Sequence, residues 1–129
     1  MIINRHEDCV GITLFKWGQR RIELWFCPSG YKIEEHSHPQ EDVELMFLYG
    51  NTLFCRQKTD GKTPVESYYA QFPGDFGRVF TVKHDDSHWF NVGNKPLIFL
   101  NFQTFLKGYQ PVSAATDFKP KEVYARTIN

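Results

Sequence analysis

The chain has 129 residues, and its 15 basic and 15 acidic side chains give a formal net charge of zero. This length suits one domain with a single core, so residues 1–129 are treated as one domain. Neither sign of charge forms a long run, which argues against nucleic acid and against a membrane surface as partners. No signal-like or membrane-spanning apolar stretch is present, and we expect a soluble, cytoplasmic protein.

Aromatic residues make up 16% of the chain, which favours an all-β core because these side chains prefer strands and bury large areas. The cysteines Cys9, Cys27 and Cys55 are odd in number and lack C-x-x-C spacing. This pattern argues against a disulfide framework and against a structural zinc site. We expect the three thiols to be reduced, with Cys27 and Cys55 acting as small buried apolar residues.

Strand and turn signals alternate along the sequence. Residues 12–17 and 20–27 are separated by Gly18-Gln19 and are predicted to form a hairpin. Further strands are predicted at residues 31–38, 43–49, 52–58, 78–83, 88–92 and 97–105, with a loop at 39–42. Many short strands without a helical period indicate a sandwich or barrel, here with a core over about 12–105. Residues 106–129 are predicted as a C-terminal arm that packs on the body, packs on a partner subunit, or frays.

Histidines form the most informative pattern in the chain. His36 and His38 flank Ser37 in a predicted strand, so their imidazoles point to the same face. A third imidazole from a distant strand, His88, would complete a facial set of ligands for a divalent metal. Alternatively, the two histidines are simply polar side chains on the surface of a half-exposed strand. His84 competes with His88 but is better read as an exposed loop residue, and His6 is expected to be solvated.

The first histidine motif resembles the cupins, the RmlC-like jelly rolls. In that family a glycine is followed after five residues by His-x-His, then by a glutamate and a closing glycine. Gly30, His36 and His38 fit this spacing, and Gly50 closes the motif. The resemblance implies a double-stranded β-helix, or jelly-roll barrel. It also implies one divalent metal ion per chain, which could be Fe, Mn, Ni, Co or Zn.

The second cupin motif is degenerate in this chain. Gly77 and His88 keep the family spacing, but Lys83 and Asp85 stand where the family usually has Pro and Gly. Asn91 comes one residue earlier than the asparagine of the motif. The two motifs in order nevertheless identify the chain as similar to cupins over roughly residues 12–105.

The carboxylate ligand of the first motif has no unambiguous counterpart. Four residues after His38 the chain has Val43, whereas Glu44 comes one position later and Glu41 and Asp42 come earlier. Either the loop carries one extra residue and Glu44 is the fourth ligand, or the site has three histidines only, or Glu41 or Asp42 takes the role. Our ligand set is His36, His38, Glu44 and His88.

The resemblance implies a small metal-dependent enzyme, dioxygenase-like, that acts on a small polar molecule. A site with three histidines and no carboxylate would look like that of the thiol dioxygenases among the cupins. The alternatives are a non-catalytic ligand-binding or sensing module and a metal-free sugar-nucleotide isomerase or epimerase. A homodimer is also implied.

Two further groups could contact a ligand. Asn101 and Gln103 share one face of the last predicted strand, and this face either lines the lumen or is an outward polar face. Arg56 could bind an anionic substrate, although an exposed strand arginine is more common.

Overall fold

The computed structural model describes residues 2–107 and 119–120, which form an all-β structure. The strands are β1 (Ile2–His6), β2 (Cys9–Trp17), β3 (Arg20–Cys27), β4 (Lys32–Ser37), β5 (Glu41–Tyr49), β6 (Asn51–Gln57), β7 (Glu66–Gln71), β8 (Val79–Val82), β9 (Ser87–Val92), β10 (Leu97–Phe105) and β11 (Lys119–Pro120). Within these ranges, no helix is long and apolar enough to cross a bilayer.

The strands form two antiparallel sheets. One sheet has the order β1-β2-β3-β10-β5-β8, and the other has the order β11-β4-β9-β6-β7. Chain neighbours such as β3 and β4 lie in different sheets, so the chain repeatedly crosses from one sheet to the other. This two-sheet arrangement confirms the predicted jelly-roll class.

Most predicted strands are confirmed, with shifted ends. The predicted hairpin is formed by β2 and β3. Residues 41 and 42 were predicted in a loop, but they begin β5. β1 and β7 were not predicted, and the strands start well before residue 12. Most of the predicted C-terminal arm lies outside the described residues, apart from β11, which pairs with β4.

Aromatic side chains fill one half of the space between the sheets. The ring of Phe54 lies 4.5 Å from that of Phe80 and 5.6 Å from that of Phe90. Phe99 meets Phe90 at 5.5 Å from the facing sheet. Each such side chain contributes about 1.5–3 kcal/mol on full burial. The stack ends at His88, 6.3 Å from Phe54, where polar side chains replace the aromatic ones.

Gly50 shows why the first motif closes on a glycine. Its φ of 102° is one that side chains with a Cβ rarely adopt. A Cβ at this position would also lie 2.2 Å from the backbone oxygen of Pro96. The turn between β5 and β6 therefore requires glycine for both conformation and space.

Candidate metal centre

The three predicted histidines meet at one end of the lumen. β4 and β9 pair antiparallel with His36 directly opposite His88, and His38 follows the last residue of β4. The ring of His36 lies 4.1 Å from that of His88 and 5.0 Å from that of His38. One potential ligand atom from each ring lies within 4.8 Å of the other two. The prediction from the sequence spacing that these three side chains lie together is thus confirmed.

Hydrogen bonding fixes the tautomer of His36 that a metal would need. Its Nδ1 lies 2.7 Å from the backbone oxygen of Glu34, so Nδ1 carries the proton and Nε2 carries the lone pair. In His88, the buried Nδ1 has no hydrogen-bond partner among the described residues. Leaving a buried polar atom in this state costs about 1–3 kcal/mol. Imidazole nitrogens with an available lone pair are metal ligands, so a bound ion would satisfy such a nitrogen.

Burial keeps the imidazoles uncharged. Desolvation lowers the pKa of His36 well below its usual 6.5, and the neighbouring His38 lowers it further. Desolvation likewise lowers the pKa of His88, with His36 and His38 acting in the same direction. Both rings are therefore neutral at pH 7, and a metal ion would not have to displace a proton from either one.

The expectation that Glu44 is the fourth ligand is wrong. Side chains alternate along β5, so Val43 and Leu45 are buried while Glu44 is exposed on the outer face. The loop is shorter than expected because β5 already begins at Glu41. The described cluster of possible ligands contains only the three histidines.

The carboxylate nearest the histidines belongs to Glu41, which is fully buried. Its Oε1 lies 3.7 Å from Nδ1 of His38 and accepts a hydrogen bond of 2.7 Å from Nε2 of Gln103. Glu41 therefore contacts the cluster through His38. Asp42, the other alternative, faces outward and binds His84.

A chain of buried polar groups continues from Gln103 into the sheet. Nε of Arg21 donates to Oε1 of Gln103 at 2.7 Å and lies 3.7 Å from Oε2 of Glu23. Glu23 also accepts hydrogen bonds from Asn4 at 2.8 Å and from Trp25 at 3.2 Å. Sequence reasoning missed this network, although alternation along β3 places residues 21, 23, 25 and 27 on one face.

A cavity of about 80 Å³ lies beside the histidines. Its walls include apolar side chains from both sheets, with Val43 and Phe99 from one sheet and Ile33 and Phe90 from the other. Asn101 and Gln103 are both buried and line it, so their shared face is the inner one. The buried Oδ1 of Asn101 lacks a hydrogen-bond partner among the described residues, which leaves an acceptor available to a ligand.

The remaining candidates lie elsewhere or differ from expectation. His84 is exposed and pairs with Asp42 at 2.9 Å, as its reading as a loop residue predicted. His6 was expected to be solvated, but it lines the cavity. Arg56 lies outside the lumen and pairs with Glu66 at 3.1 Å. Its role as an anion contact in the lumen is therefore not supported.

Comparison with known proteins gives structural neighbours only. No protein-family model and no curated protein sequence matches the chain. The capsular polysaccharide assembling protein CapF from Staphylococcus aureus superposes with a TM-score of 0.70 at 14% identity, over 91% of this chain and 33% of CapF. This chain therefore spans about a third of the length of CapF.

Two smaller structures match more of their own length. KdgF from Halomonas sp. gives a TM-score of 0.65 at 10% identity, over 84% of this chain and 89% of KdgF. The cupin domain of Cnp3 from Schizosaccharomyces pombe gives 0.63 at 12% identity, over 79% of this chain and 64% of that one. At these identities the likeness concerns the fold. Together with the two-sheet topology, it shows that the chain has the cupin fold.

Proposed function

We propose that the protein is a mononuclear metal-dependent oxidoreductase of the dioxygenase type that acts on a small polar molecule. His36, His38 and His88 would hold one divalent ion, which could be Fe, Mn, Ni, Co or Zn. The observation that carries the proposal is the convergence of three imidazoles, with ligand atoms within 4.8 Å of one another, beside a cavity between the two sheets. A bound ion would supply Lewis acidity and open coordination positions for substrate and dioxygen.

The surrounding residues would position the ligands and the substrate. Glu41, 3.7 Å from Nδ1 of His38, would fix the orientation of that ring. Asn101 and Gln103 would offer an amide oxygen and an amide nitrogen to polar groups of the substrate. Val43 and Phe99 would exclude water from the reacting atoms.

The three-histidine set supports one substrate class above others. Because Glu44 faces outward, the cluster corresponds to the version of the site that resembles the thiol dioxygenases. The cavity of about 80 Å³ is small, which favours a small substrate. We therefore propose a small thiol as the first substrate to test.

The metal site is tested by elemental analysis of untagged protein after reconstitution with each candidate ion. We expect close to one ion per chain, and we expect His36→Ala and His88→Ala to lose it because each removes one of three ligands. His84→Ala is the matched control, since that imidazole is exposed and pairs with Asp42. Undiminished metal content in both ligand variants would refute the site.

Oxygen consumption by the loaded protein then tests the reaction. Uptake of dioxygen that depends on an added small thiol supports the proposed class. Tight ligand binding without uptake would instead indicate a ligand-binding or sensing module. Failure to hold any metal after reconstitution would favour a metal-free isomerase barrel. Against that reading, the three clustered histidines and His6 line the cavity, and no tyrosine is among its described lining residues.

A further inference from the structure

Two cysteines that are distant in sequence lie side by side in the lumen wall. Sγ of Cys9 on β2 is 2.8 Å from Sγ of Cys27 on β3, and both side chains are 2% exposed. Non-bonded carbon atoms rest about 3.5–4.0 Å apart, and sulfur is the larger atom. The two sulfur atoms are therefore in direct contact.

A β-bulge is what places the two cysteines opposite each other. Phe15 faces Ile22, but the register shifts by one residue between Phe15 and Thr13, so that Val10 faces Phe26. The next position puts Cys9 opposite Cys27. Without this shift Cys9 would lie opposite Pro28, and the hairpin would not pair the two thiols.

The backbone is already suitable for a bond between the two sulfurs. Residues directly opposite in antiparallel strands have Cα atoms about 4.5–5.5 Å apart. Disulfides need Cα separations of about 4.4–6.8 Å. Small rotations of the side chains would therefore close the bond without moving either strand.

Both thiols also face the cavity that holds the histidines. A small oxidant that enters this space meets the two sulfurs together. Cys55 provides an internal contrast, because it lies on β6 in the other sheet and its Sγ contacts Oγ of Ser67 at 3.5 Å. Cys55 is also buried, so burial alone does not distinguish it from the pair.

We propose that Cys9 and Cys27 form a reversible dithiol/disulfide site that is oxidised by a small hydroperoxide. With hydrogen peroxide, the two sulfurs give up two electrons and become joined, and the O–O bond breaks. The two thiol protons leave with the peroxide oxygens as two water molecules. A dithiol reductant reverses the step by thiol–disulfide exchange.

Oxidation is expected to be slower than that of an exposed reactive thiol. The hydrogen bond with Cys9 and burial raise the pKa of Cys27, so this group stays protonated at pH 7. The product would cross-link β2 to β3 beside the lumen. Because the cross-link restricts the unfolded chain, the oxidised protein should melt at a higher temperature than the reduced protein.

The experiment uses the 129-residue chain in its metal-free form, treated with a small excess of hydrogen peroxide. We expect the thiol count to fall from three to one, with a mass loss of two hydrogens and a linked peptide pair containing Cys9 and Cys27. Dithiothreitol should restore all three thiols. Because these readouts need no metal, a failed metal site would not affect them.

Variants separate the pair from the third thiol. Cys55→Ala should still form the bond, whereas Cys9→Ala and Cys27→Ala should not. Peptide mapping of the unmodified sequence serves as the test if a variant fails to fold. The proposal is overturned if Cys9 and Cys27 stay reduced while the protein is otherwise oxidised, if they end as separate sulfinic or sulfonic acids, or if Cys55 takes part in the bond.

Discussion

Replacing Arg21 with methionine tests whether the buried polar chain behind the histidines supports the fold. Arg21 is 2% exposed and Glu23 is completely buried, and Nε of Arg21 lies 3.7 Å from Oε2 of Glu23. Methionine keeps much of the volume but removes the charge and the hydrogen bond to Gln103. Glu23 would then keep its hydrogen bonds from Asn4 and Trp25 but lose its nearest cation.

The magnitude follows from the burial of both partners. Removing one partner of a buried ion pair costs about 3–5 kcal/mol, because the other charge stays away from water. The lost hydrogen bond to Gln103 is part of this figure. For a chain of this length, each kcal/mol lowers the melting temperature by about 3–5 °C. We therefore expect Arg21→Met to lower the melting temperature by about 9–25 °C.

Arg56→Met is the matched control. Arg56 also pairs with a glutamate, at 3.1 Å from Glu66, but the two side chains are 27% and 33% exposed. Exposed pairs contribute about 0–1 kcal/mol, so this variant should melt within about 5 °C of the unmodified protein. Thermal unfolding followed by circular dichroism measures both. Equal losses in the two variants would refute the reasoning from burial.

Two further predictions concern pH and the carboxylate beside the cluster. Since the pKa values of His36 and His88 are lowered below 6.5 in the folded state, the unfolded chain takes up protons first as the pH falls. Metal-free protein should therefore become less stable to urea below about pH 6.5, and the double variant H36Q/H88Q should lose less stability over the same pH range. Equal slopes of the free energy of unfolding against pH in the two proteins would contradict this. Glu41→Gln should weaken metal affinity by about 10–100-fold, because the charge beside His38 disappears. Glu44→Gln should leave the affinity unchanged, and equal effects measured by calorimetry would exclude the role of Glu41.

The histidine cluster could be predicted from sequence because each part of the signal is local. Alternation fixes the shared direction of His36 and His38, and the motif spacing selects His88 over His84. The antiparallel pairing of β4 with β9 then brings His36 opposite His88. No tertiary information beyond the fold was needed for these residues.

The carboxylate could not be predicted because it depends on the register of β5. A one-residue slip in the pairing of a strand moves every side chain to the other face. Residues 43–49 are almost continuously apolar, so composition does not reveal which face is inside. In the structure β5 includes Glu41, and the alternation along the strand places Glu41 inside and Glu44 outside.

The buried charges and the paired thiols were missed for different reasons. Charged residues such as Arg21 and Glu23 usually mark a solvent-facing side, and only their mutual pairing permits burial. The cysteine pair depends on the bulge in β2, and no turn residue or residue spacing in the sequence indicates that bulge. Both features arise from contacts between strands.

The expected homodimer stays a prediction.

The short strand β11 has a consequence for how copies of this protein could associate. Without it, β4, the strand that carries His36, would be an edge of its sheet. β11 pairs with β4 at His36 and Ser37, and its Pro120 has no backbone N–H to offer to a further strand. Among the described strands, β1, β8 and β7 are edges along their whole length, whereas β4 is covered by β11 at His36 and Ser37. A partner strand could add to β1, β7 or β8, but it could not pair with β4 at His36, the position of a candidate ligand, without displacing β11.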